Sequence, residues 1–105
     1  MTRVPRSMQL YKRACDLIPG ATQLISRRPS RFAYGVSPVY AQRAQGARFW
    51  DVDGHEYIDW VSCIGSIILG YAHSVVDQAI QDQISRGVHY FINPALELGS
   101  AVYLV

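Results

Sequence analysis

Residues 47–60 read ARFWDVDGHEYIDW and decide how the middle of this chain folds. The dipeptide Asp53-Gly54 separates two runs that are rich in aromatic and β-branched residues. A dipeptide of this kind between two such runs is the strongest short signal for a β-hairpin. We therefore predict two antiparallel strands joined by a two-residue type I′ turn, in which glycine adopts positive φ freely and aspartate tolerates it.

A two-residue turn also sets the register of the predicted hairpin. It places Arg48 opposite Asp59, which pairs opposite charges across the strands. It also places Asp51 opposite Glu56, which pairs like charges and is unfavourable. Either solvent near the turn screens this second pair, or a bulge shifts the register.

The acidic residues and His55 in the same stretch raise the alternatives of a metal loop and an acid/base site. An EF-hand loop needs glycine at its sixth position and glutamate at its twelfth. Counted from Asp51, the glycine comes fourth and the twelfth residue is Ser62. No feature of the sequence places two carboxylates in one pocket, so a structural role outweighs acid/base catalysis. The cysteines and histidines show no zinc-like spacing.

Apolar periodicity predicts helices on both sides of the hairpin. In the first helix we expect Ser7 to be the N-cap and Pro19-Gly20 to end the helix. VYAQRA, residues 39–44, is a candidate strand. A second helix is expected from a cap at Ser74 to Gly87. The apolar residues that define these helical faces are Leu10, Ala14, Leu17 and Ile18 in the first helix, and Val76, Ile80 and Ile84 in the second.

A third helix is expected to open at Asn93-Pro94, with a cap followed by proline at its first position. Its pattern runs to Val105 without a C-terminal glycine or a polar tail. We therefore expect the chain to be the N-terminal fragment of a longer protein, the alternative being a helix that frays at its end. The predicted fold class is an α+β fragment: an N-terminal helix, a small antiparallel sheet with the Asp53-Gly54 hairpin, then two helices.

The bulk composition bounds the class of protein. The chain has 105 residues, 50% of them hydrophobic, and a net charge of +2, which is too small to indicate a nucleic-acid partner. The longest apolar stretch, residues 61–72, is shorter than the roughly 20 residues that a membrane span needs. No secretory signal is visible. Cys15 and Cys63 stand in apolar surroundings, so we expect buried thiols in a cytoplasmic protein.

A basic loop, SRRPSR at residues 26–31, carries Arg27, Arg28 and Arg31. Three arginines in a loop could bind a phosphate or carboxylate with bidentate geometry. A solvated basic loop is the alternative, and composition alone favours it.

Three stretches together are similar to a known family: LIPGATQLISRRPSRF at 17–32, PVYAQRAQGARFWDVDGHEYIDWVSCIG at 38–65, and IILGYAHSVVDQAI at 67–80. In this order they resemble the N-terminal segment of class III pyridoxal-phosphate (PLP)-dependent aminotransferases, especially the glutamate-1-semialdehyde aminomutase branch. The resemblance implies a homodimer of fold type I. It also implies that residues 1–105 supply the small-domain sheet and the first helices, and that the large cofactor-binding domain is absent.

The resemblance implies particular site residues. The family uses PLP and a Schiff-base lysine, but the one lysine here, Lys12, lies in the wrong part of the family's order. We therefore expect no catalytic or cofactor-binding residue in this chain, which would be inactive alone. Arg27, with Arg28 as its competitor, stands nearest to an arginine that binds a substrate carboxylate. Ile64 stands where the aminomutases carry an aromatic residue of the cofactor-site wall, which favours a general aminotransferase relative.

The implied parent enzyme would act on an amino-acid or amino-sugar-like small molecule, with no nucleic-acid or membrane partner. It would move an amino group from an amine-bearing substrate to a keto or aldehyde acceptor. The alternative is a non-catalytic truncated remnant or a dimerisation module. A basic-loop anion binder built on SRRPSR is a third and weaker hypothesis.

Overall fold

The computed structural model describes residues 1–88, which form a small α+β structure. The predicted α+β class is therefore confirmed, while the third helix expected at Asn93-Pro94 lies outside the described residues. The chain divides into two compact units, the second beginning at Ser74. The elements are helices α1 (Pro5–Leu17) and α3 (Ser74–Arg86), the single left-handed turn α2 (Ser62–Gly65), strands β1 (Ala41–Gln45), β2 (Arg48–Asp51) and β3 (Glu56–Ile58), and 3₁₀ turns at Ile25–Arg27 and Pro29–Arg31.

The three strands form one antiparallel sheet in the order β1-β2-β3, and the predicted hairpin joins β2 to β3. Its loop contains three residues, 52–54, because the Asp51 N–H donates to the His55 carbonyl at 3.0 Å. Of these three residues only Gly54 has a positive φ, +90°. The predicted two-residue type I′ turn is wrong. The loop is instead a longer turn that closes on a left-handed glycine, a common three-residue hairpin connection.

The extra loop residue shifts the register by one position. Trp50 now pairs with Glu56, and Arg48 pairs with Ile58. The like-charged pairing of Asp51 with Glu56 does not arise, and the expected pairing of Arg48 with Asp59 is also wrong. Arg48 instead forms an ion pair with Glu56. Both partners are about half exposed, so this ion pair contributes little to stability.

Helix α1 begins earlier than its sequence signal indicates. Pro5 is its first residue and Val4 occupies the cap position, so the expectation that Ser7 caps the helix is wrong. Ser7 lies inside the first turn and is fully buried. A proline suits the first position because its missing N–H would have no partner within the helix. The remaining free N–H groups of this turn find their acceptor elsewhere in the chain.

Helix α3 ends as its sequence predicts. It has Asp77 in its first turn and Arg86 in its last, as the helix dipole favours. Gly87 follows with φ of +100°, and its carbonyl accepts a hydrogen bond from the Gln83 side-chain amide at 2.9 Å. The helix begins at Ser74 itself, one residue earlier than a cap at this position would place it.

The buried core of the described residues is small. Val4, Ala14, Ala21 and Pro29 are its buried apolar side chains, together with the polar residues Ser7 and Asp51. Both cysteines are exposed, so the expectation of buried thiols is wrong. Apolar neighbours along the sequence do not bury a thiol when few elements pack against it. Within residues 1–88, no helix has the length and hydropathy that crossing a membrane would require.

Candidate functional site

The crowded acidic stretch centres on one buried carboxylate, Asp51. Its Oδ1 accepts the backbone N–H groups of Asp53 at 3.0 Å and His55 at 2.8 Å. Its Oδ2 lies 3.0 Å from both His55 Nδ1 and the Tyr57 hydroxyl. Burial raises the pKa of Asp51, but the hydrogen bonds from His55 and Tyr57 outweigh it and lower the pKa below its ordinary value. The chain itself thus occupies the lone pairs of this carboxylate, which organises the hairpin loop.

The neighbouring carboxylate, Asp53, binds the start of helix α1. Its Oδ1 accepts the Arg6 N–H at 2.7 Å, and its Oδ2 accepts the Ser7 N–H at 2.9 Å. The Arg6 guanidinium also donates to the Val52 carbonyl at 3.4 Å. Burial raises the pKa of Asp53, but hydrogen bonding from Ser7 and Arg6 lowers it, and the pKa lies below its ordinary value. The Asp53 carboxylate therefore caps the N-terminus of α1 from the hairpin loop, although it lies 46 positions from Ser7 in sequence.

A third carboxylate, Asp59, joins the two ends of the loop that follows β3. Its Oδ1 accepts the N–H groups of Val61 at 2.8 Å and Ser62 at 3.1 Å. Its Oδ2 accepts the Tyr71 hydroxyl at 2.5 Å. The Tyr71 hydrogen bond lowers the pKa of Asp59, and the same bond, with burial, raises the pKa of Tyr71 to about 12. At neutral pH the pair is therefore a carboxylate and a neutral phenol.

The loop between these ends has an unusual backbone. Ser62, Cys63 and Ile64 have φ values of 48°, 48° and 57°, and Gly65 continues the left-handed turn at 84°. This conformation costs about 1–2 kcal/mol for each residue that carries a Cβ. Such strain occurs in native proteins mainly at binding and catalytic sites.

A cavity of about 310 Å³ lies beneath this loop. The backbone of Tyr71 bridges to Gly46 through two hydrogen bonds of 2.9 Å. A Cβ on Gly70 would lie only 3.0 Å from the Gly46 carbonyl oxygen, so the approach of the two segments requires glycine. The cavity is lined by Gly46, Ala47, Asp59, Ser62, Ile67, Ile68, Leu69, Gly70 and Tyr71.

A second concave surface, a groove of about 550 Å³, runs along α1 and contains Arg27. Arg27 is the last residue of a 3₁₀ turn and donates from Nη1 to Gln23 Oε1 at 2.9 Å. The walls are largely apolar, with Arg13 as a second cation. An apolar groove with a few cationic groups suits a small carboxylate. The apolar lining consists of Leu10, Ala14, Leu17, Ile18, Ala21, Val39, Tyr40 and Ala41.

A metal centre is the third possible kind of site. Within residues 1–88, no three histidine, cysteine, aspartate or glutamate side chains converge on a point that could hold a metal ion. Asp51 and His55 do meet, but the remaining oxygen contacts of Asp51 are backbone N–H and phenol donors, which a cation would displace.

Comparison with known proteins places these features in a family. The family model Aminotransferase class-III matches residues 31–101, well over half of the chain. The chain belongs to the class III aminotransferases. The glutamate-1-semialdehyde 2,1-aminomutase 2 of Exiguobacterium sibiricum is 38% identical over 100 residues, which cover 95% of this chain and 22% of that protein. The 3-aminobutyryl-CoA aminotransferase of Cloacimonas acidaminovorans is 42% identical over 84 residues, covering 80% and 20%.

Solved structures agree with the sequence relatives. A transaminase structure with PLP bound superposes with a TM-score of 0.77 at 29% identity, over 94% of this chain and 22% of that one. The fold of this class III aminotransferase chain is thus shared with PLP-dependent transaminases. The chain spans about a fifth of the length of the relatives that it matches.

The two substrate-binding residues expected from the sequence lie on different surfaces of this class III chain. Arg27 lines the groove along α1. Ile64 lies in the left-handed turn, is 95% exposed and is not among the groove's lining residues. Arg28, the competitor, is half-buried, and its Nε lacks a hydrogen-bond partner among the described residues. The structure does not bring Arg27 and Ile64 into one cavity.

Sequence reasoning missed the Asp59–Tyr71 pair and the helix cap from Asp53. The pattern of an aspartate followed by Val61 and Ser62 could have indicated the first half of the Asp59 interaction, because aspartate commonly accepts the N–H two residues on. No local signal predicts that Tyr71 binds Asp59, because the two residues are 12 positions apart. None predicts that Asp53 caps Ser7, because these residues are 46 positions apart.

Proposed function

We propose that this chain is the N-terminal portion of a PLP-dependent class III aminotransferase or aminomutase, and that the chain alone is inactive. The observation that supports this is the 38% identity over 95% of the chain to about a fifth of a glutamate-1-semialdehyde aminomutase. The parent reaction would transfer an amino group between an amine-bearing substrate, of amino-acid or amino-sugar-like type, and a keto or aldehyde acceptor. We expect the parent to be a cytoplasmic homodimer.

Within residues 1–88, we propose that no group holds the cofactor. PLP enzymes of this kind bind the cofactor through a lysine Schiff base, and the cofactor then acts as an electron sink. The sequence has one lysine, Lys12. It is an exposed residue of α1 and lines neither the cavity beneath loop 60–70 nor the groove along α1. In our proposal the lysine, the pyridine-nitrogen partner and the phosphate loop come from a large domain outside residues 1–105.

The role proposed for this chain is to shape the substrate site. Arg27, an exposed residue on the largely apolar groove along α1, supplies a guanidinium that can bind a substrate carboxylate with charge-assisted hydrogen bonds. Ile64 contributes an apolar wall from the left-handed turn, which the high exposure of its side chain supports. An aliphatic wall where aminomutases have an aromatic residue favours an aminotransferase over glutamate semialdehyde chemistry.

The test of inactivity uses the chain itself. It is incubated with PLP and an amino donor, treated with borohydride, and analysed by mass spectrometry. We expect no stoichiometric PLP adduct and no amino transfer, and the same result for Lys12→Arg. A stoichiometric, borohydride-trapped adduct on Lys12 that accompanies turnover would contradict the proposal.

The alternative is a non-catalytic remnant or a dimerisation module. The exposed apolar side chains of the described residues support this alternative, because such a surface can bind a partner. The coding sequence downstream of Val105 separates the two hypotheses. An in-frame large domain with a lysine supports the aminotransferase, and an immediate stop codon supports the remnant.

A further inference from the structure

Loop 60–70 begins and ends at hydrogen bonds to a single carboxylate. Asp59 Oδ1 accepts the N–H groups of Val61 and Ser62 at the start of the loop. Asp59 Oδ2 accepts the hydroxyl of Tyr71, directly after the loop, at 2.5 Å. One side chain therefore links the two ends of the loop, in addition to the backbone hydrogen bonds that attach Asp59 to Ala47 and Tyr71 to Gly46.

The interior of the loop has few other restraints. Ile64 and Ile68 are 95% and 86% exposed, so packing within the described residues does not hold them. The hydrogen bonds inside the loop are short-range. Backbone N–H groups donate from Ile64 to Val61, from Ile67 to Ser62, from Ser66 to Cys63 and from Gly70 to Ile67, and the Ser66 hydroxyl donates to the Cys63 carbonyl. Left-handed residues with a Cβ persist only where the surrounding structure holds them. The long-range restraint on this turn therefore comes from the ends of the loop.

Tyr71 attaches the end of the loop in two separable ways. Its backbone forms the two 2.9 Å hydrogen bonds to Gly46, and its hydroxyl binds Asp59. The backbone attachment does not depend on the hydroxyl. Replacing Tyr71 with phenylalanine thus removes the hydrogen bond to Asp59. It leaves the aromatic ring and the two backbone hydrogen bonds to Gly46 in place.

We propose that Tyr71 is a positioning residue that acts through Asp59 to hold loop 60–70 in its left-handed conformation, and so presents Ile64 to the substrate site. The role of Ile64 rests on the proposed function, whereas the restraint on the loop does not. Tyr71 acts through Asp59 and needs no contact with substrate.

The first test is amide hydrogen exchange of the 105-residue chain and of Tyr71→Phe. We expect the amides of Ser62, Ile64 and Ile67 to exchange about tenfold faster in the variant, as loss of a charge-assisted hydrogen bond would produce. The amide of Asp51, in the hairpin, is the internal reference and should not change. Tyr34→Phe removes a hydroxyl from an exposed ring and should leave all these rates unaltered.

Two results would overturn the proposal. One is equal exchange of the loop amides in the parent chain and Tyr71→Phe. The other is exchange of the loop amides at unfolded-chain rates in the parent chain, because the loop would then have no fixed conformation to hold.

A second measurement follows the Asp59 carboxyl carbon by NMR as pH is varied. In Tyr71→Phe the pKa of Asp59 should rise toward its ordinary value, and in Tyr34→Phe it should not. In Asp59→Asn the pKa of Tyr71, about 12 in the parent chain, should fall toward its ordinary value. An unchanged Asp59 titration in Tyr71→Phe would refute the direct link. None of these readouts uses PLP, so failure of the aminotransferase assignment would leave them intact.

Discussion

At the scale of single residues, the aspartates of the central stretch act through hydrogen bonds to the chain itself. Asp51 organises the hairpin loop, Asp53 caps a helix and Asp59 joins the ends of a loop. Each accepts at least two backbone N–H groups, and these bonds lower the pKa of all three carboxyls. Ionised carboxylates are stronger acceptors than neutral ones, so the charge of these residues is part of the fold.

The pH dependence of stability follows from the lowered pKa of Asp51. A carboxyl with a folded-state pKa below its unfolded value of about 3.9 contributes stability above that value. This contribution is lost as the pH falls through the folded-state pKa. We expect the free energy of unfolding to decrease between about pH 5 and pH 3, as measured by urea unfolding with tryptophan fluorescence.

The variant Asp51→Asn identifies the residue responsible. It should cost about 1.5–3 kcal/mol at pH 7, since it weakens hydrogen bonds to a buried charged acceptor. It should also reduce the decrease in the free energy of unfolding at acidic pH. Part of that decrease should remain, because the pKa values of Asp53 and Asp59 are also lowered. A pH profile with the same slope as that of the parent chain would contradict the assignment.

At the scale of elements, the hairpin and the first helix form one unit. The three-residue loop places the Asp53 carboxylate against the first turn of α1, where it binds the N–H groups of Arg6 and Ser7. The shifted register also places the Phe49 and Tyr57 rings in stacking contact, with centroids 5.1 Å apart. Helix and hairpin therefore stabilise each other although they are far apart in sequence.

Removing the distant cap tests this coupling. Asp53→Ala should lower the free energy of unfolding by about 1–2 kcal/mol, the range measured for loss of an N-cap. The amides of Arg6 and Ser7 should lose protection from hydrogen exchange. The control is Asp53→Asn, which keeps one acceptor oxygen and should lose less. Unchanged protection of both amides in Asp53→Ala would show that another group caps α1.

At the scale of the whole molecule, the described residues leave much apolar surface in solvent. Trp60 is 88% exposed, and the α3 residues Val75, Ile80 and Ile84 are each more than half exposed. The buried apolar side chains of the described residues are few, and the core that they form is small for a folded domain. The aminomutase and aminotransferase relatives are roughly four times as long as this chain, and exposed apolar surface of this extent is typical of a segment that packs on further polypeptide.

We therefore expect the isolated chain to be marginally stable. Its free energy of unfolding should be below about 5 kcal/mol, the lower limit typical of native domains, as measured by urea unfolding. Ile68→Ser should reduce self-association in light scattering, whereas Gln42→Ser on the exposed face of β1 should not. Slow hydrogen exchange throughout the hairpin and α3 would contradict the expectation of marginal stability.

The sequence by itself determined the elements and the family. Turn chemistry at Asp53-Gly54, the apolar periods of α1 and α3, and Gly87 after α3 are local signals, because each depends on residues within a few positions. The motif string from Gly46 to Asp59, followed by residues 68–73, sufficed for the class III aminotransferase family. These features need no knowledge of how distant segments pack.

Only the tertiary structure decided the hairpin register, the start of α1 and the partners of the aspartates. In the three-residue loop Asp51 accepts the N–H groups of Asp53 and His55, and Asp53 accepts the N–H group of Arg6, and these hydrogen bonds stabilise the longer loop. The N–H group of Ser7 lies 46 positions from Asp53, which binds it. The hydroxyl of Tyr71 lies 12 positions from Asp59, which binds it. Hydrogen bonds depend on distance in space, and these pairings exist only after the chain has folded.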